Sequence, residues 1–260
     1  MTKAPGIQPA LCIVIPCFNE AERLDSEKYL AFLRNHPEID LIMIDDGSVD
    51  DTLALINKLK DTCPRQINTL PMGKNVGKGE AVRIGILTAL TRRQYDAVGY
   101  FDADLSTPLP ESLRMQQLLT DQQADVVMGS RISFLGTDIR RQASRHYLGR
   151  IFATFASMIL RLPVYDTQCG AKLFRADIAQ TLFAEPLHSR WFFDIEVLAR
   201  YITLNGHHSA KRNIFELPLN SWKNVGNSKL KLADFVQAPI DLFRIWLRYP
   251  RLRTYLRQDA

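Results

Sequence analysis

Five short apolar runs rich in Val and Ile, at residues 11–15, 41–44, 67–70, 97–101 and 126–128, punctuate the first half of the chain. Between them lie stretches of helical periodicity at about residues 22–33, 50–59, 80–90 and 111–119. Strands joined by crossovers of that length pair in parallel, and a parallel sheet must be covered on both faces. The expected fold is therefore α/β, a Rossmann-like, mostly parallel sheet flanked by helices. At 260 residues, 46% hydrophobic and 23% charged, the chain can bury a sizeable core, and a wholly disordered or collagen-like polymer is excluded. Length points to one large domain with an appendage.

In such sheets ligands bind beyond the carboxyl ends of the strands. Those ends are polar here. The first run leads into Pro16-Cys17-Phe18-Asn19-Glu20, the second into Asp45-Asp46-Gly47-Ser48, and the third into Gly73-Lys74-Asn75-Val76-Gly77-Lys78-Gly79. The fourth leads into Asp102-Ala103-Asp104 and the fifth into Gly129-Ser130-Arg131. Beyond Arg131 the rhythm changes to a polar stretch, an apolar helix at 147–160, loop and strand over 164–174, helices at 176–183 and 193–204, and a strand at 214–217. The expected organisation is an N-terminal tail at 1–9, one domain at 10–231 and a basic helical tail at 232–260. The domain divides into a half at about 10–131, which carries the polar strand ends, and an acceptor-side extension at about 132–231.

Each motif has a plain reading beside a chemical one. Asp102 and Asp104 repel unless a cation lies near, and Mg²⁺ or Mn²⁺ commonly takes one or two carboxylates; alone, the triplet also suits an acidic turn before a helix begun by Pro108 and Pro110. Ser48 and Asp51 have capping-box spacing, which explains a helix start but leaves Asp45 and Asp46 at the strand end, where nucleoside N–H and hydroxyl groups would suit them. The glycine loop is one residue short of a P-loop. It is either a flexible connection or a place where backbone N–H groups and Lys78 approach a diphosphate.

Taken together and in this order, these motifs resemble the family 2 glycosyltransferases of GT-A fold. Asp166-Thr167-Gln168-Cys169-Gly170-Ala171-Lys172-Leu173-Phe174, Arg190-Trp191-x-Phe193-Asp194-x-Glu196 and Gly226-Asn227-Ser228-Lys229-Leu230 bring the likeness nearest to the dolichyl-phosphate β-glucosyltransferases. The resemblance implies transfer of a hexose, glucose from UDP-glucose, to a polyprenyl phosphate with inversion. It places Pro16, Asn19, Glu20, Asp45, Asp46, Gly77 and Lys78 at the donor nucleotide, and Asp102 and Asp104 at metal and nucleotide. Where related mannosyltransferases carry a further metal-binding glutamine, this chain has Ser106.

A phosphate monoester is already mostly a dianion near neutral pH, so its attack needs no general base. It does need cations, and Arg131 and Arg145, spaced as acceptor-phosphate arginines are in the related enzymes, are the expected acceptor residues; a generic basic stretch is almost as good a reading for Arg145. Asp194 matches an acid that serves as base in relatives acting on hydroxyls, and otherwise positions the acceptor loop or caps a helix. His207-His208 beside Gly206 reads as a turn.

The net charge of +5 is concentrated late: five arginines and no acid lie between Arg244 and Arg257. Residues 234–249 interleave aromatic side chains with arginine as an interfacial helix does, whereas 147–162 reads equally as core. The charge-free run 151–160 is too short for the about 20 residues of a membrane span. The expectation is a peripheral protein on the cytosolic membrane face, with no signal segment, no nucleic-acid partner, and four scattered cysteines suited to a reducing compartment. Two rivals stand beside it: the same fold acting on a hydroxyl, and a non-catalytic module binding nucleotide sugars or a membrane surface.

Overall fold

The computed structural model describes residues 10–140, 143–189, 192–225 and 232–254. The expected N-terminal tail, Arg190, Trp191, the stretch 226–230 and the side chain of Arg145 lie outside the described residues. All five expected strands form: β1 (Leu11–Cys17), β2 (Ile39–Asp45), β3 (Ile67–Pro71), β4 (Ala97–Phe101) and β5 (Val126–Ser130). Helices α1 (Ser26–Asn35), α2 (Thr52–Thr62), α3 (Lys78–Arg92) and α4 (Glu111–Asp121) alternate with them. The second half adds β6 (Asp138–Arg140), α5 (Ala143–Leu160), β7 (Ala171–Arg175), α6 (Ala176–Leu182), α7 (Phe193–Asn213), β8 (Ile214–Pro218), β9 (Ser221–Lys223), α8 (Leu232–Arg248) and α9 (Arg251–Thr254).

Seven strands form one sheet in the order β3-β2-β1-β4-β7-β5-β8, and β6 pairs with β9 beside it. Only β7 runs antiparallel in the large sheet, between β4 and β5. β1 is buried along its length except at Pro16, as a central strand covered on both faces must be. Alternate residues feed two cores. Val14, Ile42, Val98 and Tyr100 meet α3, α5 and α7, while Ile13, Leu41, Met43 and Phe101 meet α1, α2 and α4.

Several boundaries differ from expectation for local reasons. α1 starts at Ser26, not near Glu22, because the Asp25 carboxylate accepts the Lys28 N–H at 3.2 Å. The Ser48–Asp51 capping box does not form. Ser48 Oγ accepts from Asn19 N at 3.0 Å, and Asp50 Oδ1 accepts from Thr52 N at 3.1 Å at the start of α2. The turn expected at His207 is a kink inside α7, where Gly206 has φ 82°; His207 is buried with Nε2 3.1 Å from Leu160 O.

The close approach of β7 to β4 depends on Gly99. A Cβ there would lie 2.1 Å from the Lys172 carbonyl oxygen. Gly99→Ala is expected to destabilise the protein by about 1–3 kcal/mol through forced strand separation, measured by chemical denaturation; an unchanged midpoint would contradict this packing.

Candidate functional site

β4 ends at Phe101 on the sheet's carboxyl rim, and the turn that follows is held from several sides. Asp102 N donates to Gly170 O at 2.9 Å, Leu105 N to Asp102 O at 3.2 Å, and the buried Tyr29 hydroxyl to Ala103 O at 3.0 Å. Leu105 takes φ 52°, the left-handed conformation that closes the turn. The Asp102 carboxylate rests against the α-carbon of Gly170, where a Cβ would stand 1.8 Å from Oδ2. Only glycine leaves it that place.

The two acids carry separate cations. Lys78 Nζ, on the first turn of α3, lies 2.5 Å from Asp102 Oδ1, and Arg23 Nη1 lies 3.6 Å from Asp104 Oδ2. Arg23 also pairs with Glu20 at 2.6 Å, joining the end of β1 to the end of β4. Burial, then the like charge of Asp102, pushes the Asp104 carboxyl above the usual carboxylate range. For Lys78 burial disfavours the charge, but Asp102, Asp194 and Asp104 outweigh it and hold the ammonium above its ordinary value.

Two hard carboxylates of like charge suit a divalent cation that completes its shell with water and diphosphate oxygens. Among the described residues no group of three or more His, Cys, Asp or Glu is arranged to hold a metal. Ser106 has its N–H committed to Asp104 Oδ1 at 3.0 Å and its carbonyl to Lys223 N at 3.0 Å.

The glycine loop is fastened by Asp46. Its buried carboxylate accepts from Val76 N at 2.6 Å, Gly77 N at 3.0 Å and Asn75 Nδ2 at 3.0 Å, so it caps α3 from another strand end. Gly77, with φ 93°, brings no capping side chain of its own. Asp45 is also buried and accepts one N–H, from Ser48 at 3.3 Å. Asn19 Oδ1 accepts from Val49 N at 2.9 Å, and Glu20 N donates to Thr52 Oγ1 at 2.7 Å. Pro16, half-buried, and the Asn19–Glu20 turn thus share one rim with the start of α3.

The acceptor-side residues are placed differently. Arg131 is half-buried and grips Asp166 with a fork, Nε to Oδ2 and Nη2 to Oδ1 at 2.7 Å each, below the ring of Trp222. Burial opposes its charge, yet Asp166 holds the guanidinium above its ordinary value. A small open cleft lies beside it, lined by Arg150, Phe152, Tyr165, Thr167 and Gln168. Thr167 Oγ1 and Gln168 Nε2 are buried there without a hydrogen bond. Arg145 is on the first turn of α5, one turn before Gly149 and Arg150 of the same cleft.

Asp194 is buried in the first turn of α7, whose N-cap, Phe192, makes no side-chain cap bond. Its carboxylate accepts from the Tyr100 hydroxyl and pairs with Lys172 Nζ at 2.6 Å, both buried. Lys172 also donates to Cys169 O at 2.8 Å, next to Gly170. Glu196 is fully buried and gathers His188 N at 2.9 Å, Ser189 N at 3.2 Å, Arg200 at 3.0 Å and the Tyr249 hydroxyl at 3.0 Å, so it fixes the loop before α7.

The family model for glycosyl transferase family 2 matches residues 12–183, a span that contains all five strand-end motifs. The chain belongs to glycosyl transferase family 2. The fold of this glycosyltransferase matches that of the glucosyl-3-phosphoglycerate synthase of Mycobacterium tuberculosis. The structure of that enzyme bound to Mn²⁺, UDP and glucosyl-3-phosphoglycerate aligns with TM-score 0.64 at 18% identity, over 96% of this chain and 86% of the other. Among curated relatives, the dolichyl-phosphate beta-glucosyltransferase of Dictyostelium discoideum is 32% identical, over 92% of this chain and 74% of its own length. The human protein of that name is 30% identical, over 92% and 75%.

Asp194→Asn is expected to cost about 3–5 kcal/mol of stability, since it strands the buried Lys172 ammonium, and Lys172→Met added to it should restore much of the loss. Urea denaturation of the single and double variants checks this; a single variant as stable as the parent would contradict the buried pair.

Proposed function

We propose that this glycosyltransferase moves glucose from UDP-glucose to the phosphate of a polyprenyl lipid such as dolichyl phosphate, with inversion at the anomeric carbon. The observation that carries the reading is the pair Asp102 and Asp104 at the end of β4, with Lys78 and Arg23 against them and the Arg131 cleft beyond the end of β5. The names of the relatives, dolichyl-phosphate beta-glucosyltransferases, support the acceptor and the sugar. The Mn²⁺ and UDP in the synthase complex support the cofactor and nucleotide.

In this reading Pro16, Asn19, Glu20, Asp45 and Asp46 border the nucleoside, and Asp46 additionally sets the loop whose Gly77 and Lys78 face the diphosphate. Asp102 and Asp104 would hold Mg²⁺ or Mn²⁺, which when bound supplies positive charge to the departing diphosphate. Lys78 adds a second cation there. Arg131, aimed by Asp166, and Arg145 from α5 receive the acceptor phosphate. Two anions can then approach each other, and the phosphate dianion attacks the anomeric carbon opposite the leaving group. No proton is removed from the nucleophile. The burial of Asp194 in its pair with Lys172 favours this acceptor over a hydroxyl, which would require a base. The place of action is the cytosolic face of a membrane, by peripheral contact.

The test is incubation with UDP-[¹⁴C]glucose, Mg²⁺ or Mn²⁺ and polyprenyl phosphate. Label should enter the organic phase, and Asp104→Asn should lower the rate by at least about 100-fold with the fold intact. No lipid label, label in an alcohol or glycan only, or full activity of the variant would overturn the reading.

A further inference from the structure

α5 and α8 are each buried along one stripe and open along another. On α5, Ala153, Ala156 and Leu160 are buried, whereas Ile151, Phe155 and Met158 are 57%, 54% and 66% exposed. On α8, Leu242 and Ile245 are buried, whereas Ile240, Phe243 and Leu247 are 44%, 55% and 48% exposed. Both open sets follow helical spacing, so each is a continuous apolar face and not scattered exposure. The two helices pack against each other. Single exposed apolar side chains are ordinary on a protein in water; two neighbouring stripes of large ones mark a contact surface.

Charge and ring chemistry select the partner. Phe243 and Trp246 stack at 5.8 Å between centroids, and the Arg253 guanidinium lies 5.0 Å from the Trp246 ring. Arg244 and Arg248 are exposed on the same helix, and no acid occurs from Arg244 to Arg257. Apolar and aromatic side chains rimmed by arginine match the boundary of an anionic lipid layer, where rings sit at headgroup depth and guanidinium meets phosphate. No helix of the described residues is long and apolar enough to cross a membrane, so the helices would lie in the interface.

We propose that the open faces of α5 and α8 together form a docking face for an anionic lipid bilayer. The inference gives α5 a part that its sequence left undecided between core and membrane. It deepens the proposed function and rests on it for one point only: the cleft beside Arg131 is lined by Arg150, Phe152 and Ala153, whose neighbours Ile151 and Phe155 belong to the open stripe. A lipid phosphate in that cleft would keep its hydrocarbon beside the bilayer-facing side of the same helix.

The experiment is sedimentation of the full chain with phosphatidylcholine/phosphatidylserine vesicles, comparing Phe155→Glu/Met158→Glu and Phe243→Glu/Leu247→Glu with the parent. Circular dichroism verifies that the exposed substitutions leave the fold unchanged. Each pair should lower the vesicle partition coefficient by at least about tenfold, and pure phosphatidylcholine should retain less of the parent than the anionic mixture does. Glucose transfer to a short, water-soluble prenyl phosphate should stay at the parent level in both variants. Parent-like binding by the α5 pair would overturn the shared face. So would light scattering that shows a dimer dissolved by these substitutions, because a second copy would then cover the stripes. Absence of transfer to any prenyl phosphate, with vesicle binding still lost in both variants, would overturn the acceptor reading and leave the docking face supported.

Discussion

Two carboxylates of like charge at the end of one strand set the terms for everything around them. Asp102 and Asp104 repel each other in a partly buried corner, and the chain answers with Lys78 on one and Arg23 on the other. Both cations come from elements beyond other strand ends, so the repulsion is settled only when β3, β2, β1 and β4 have assembled in that order. The parallel order of the sheet is what brings those ends to one rim. A site with its compensating charges on flexible side chains can also accept a different positive group, such as a divalent ion carrying a diphosphate.

The surrounding shell holds this corner by backbone contacts and by glycine. Asp46 fastens residues 75–77 and so aims the first turn of α3, which carries Lys78. Gly170 makes room for the Asp102 carboxylate, and Lys172, paired with Asp194, holds the carbonyl just before that glycine. Asp194 therefore reaches the reacting corner twice, through the Lys172 contact on β7 and through its charge on Lys78. On the acceptor side Asp166 does for Arg131 what Asp46 does for the glycine loop: it spends a carboxylate on orientation.

Much of this was legible in the sequence. Short continuous apolar runs between helical stretches located the five strands of the first half, and the polar ends of those runs located the rim. The antiparallel insertion of β7 was not legible, because an isolated apolar strand carries no sign of which neighbours it will separate. Local chemistry near Ser48 misled for a similar reason: its spacing fits a cap, but the Asn19 N–H, distant in sequence, competes for the hydroxyl and wins. Arg23 carried no signal, since a lone arginine before a helix is commonplace. Asp166, Gly170 and Lys172 lay inside a motif that marked the family without disclosing their work; a lysine within the otherwise apolar run 171–174 was the one local hint that a buried acid would be found opposite. The open stripe of α5 was ambiguous because an apolar helix of that composition suits a core and a lipid surface equally.

The most direct measurement is calorimetric titration of UDP into the protein with and without Mn²⁺, in the parent and in Asp102→Asn. If the paired acids seat a cation that carries the donor diphosphate, Mn²⁺ should tighten UDP binding at least about tenfold in the parent and have little effect in the variant. Equal UDP affinity with and without Mn²⁺ in the parent would contradict it.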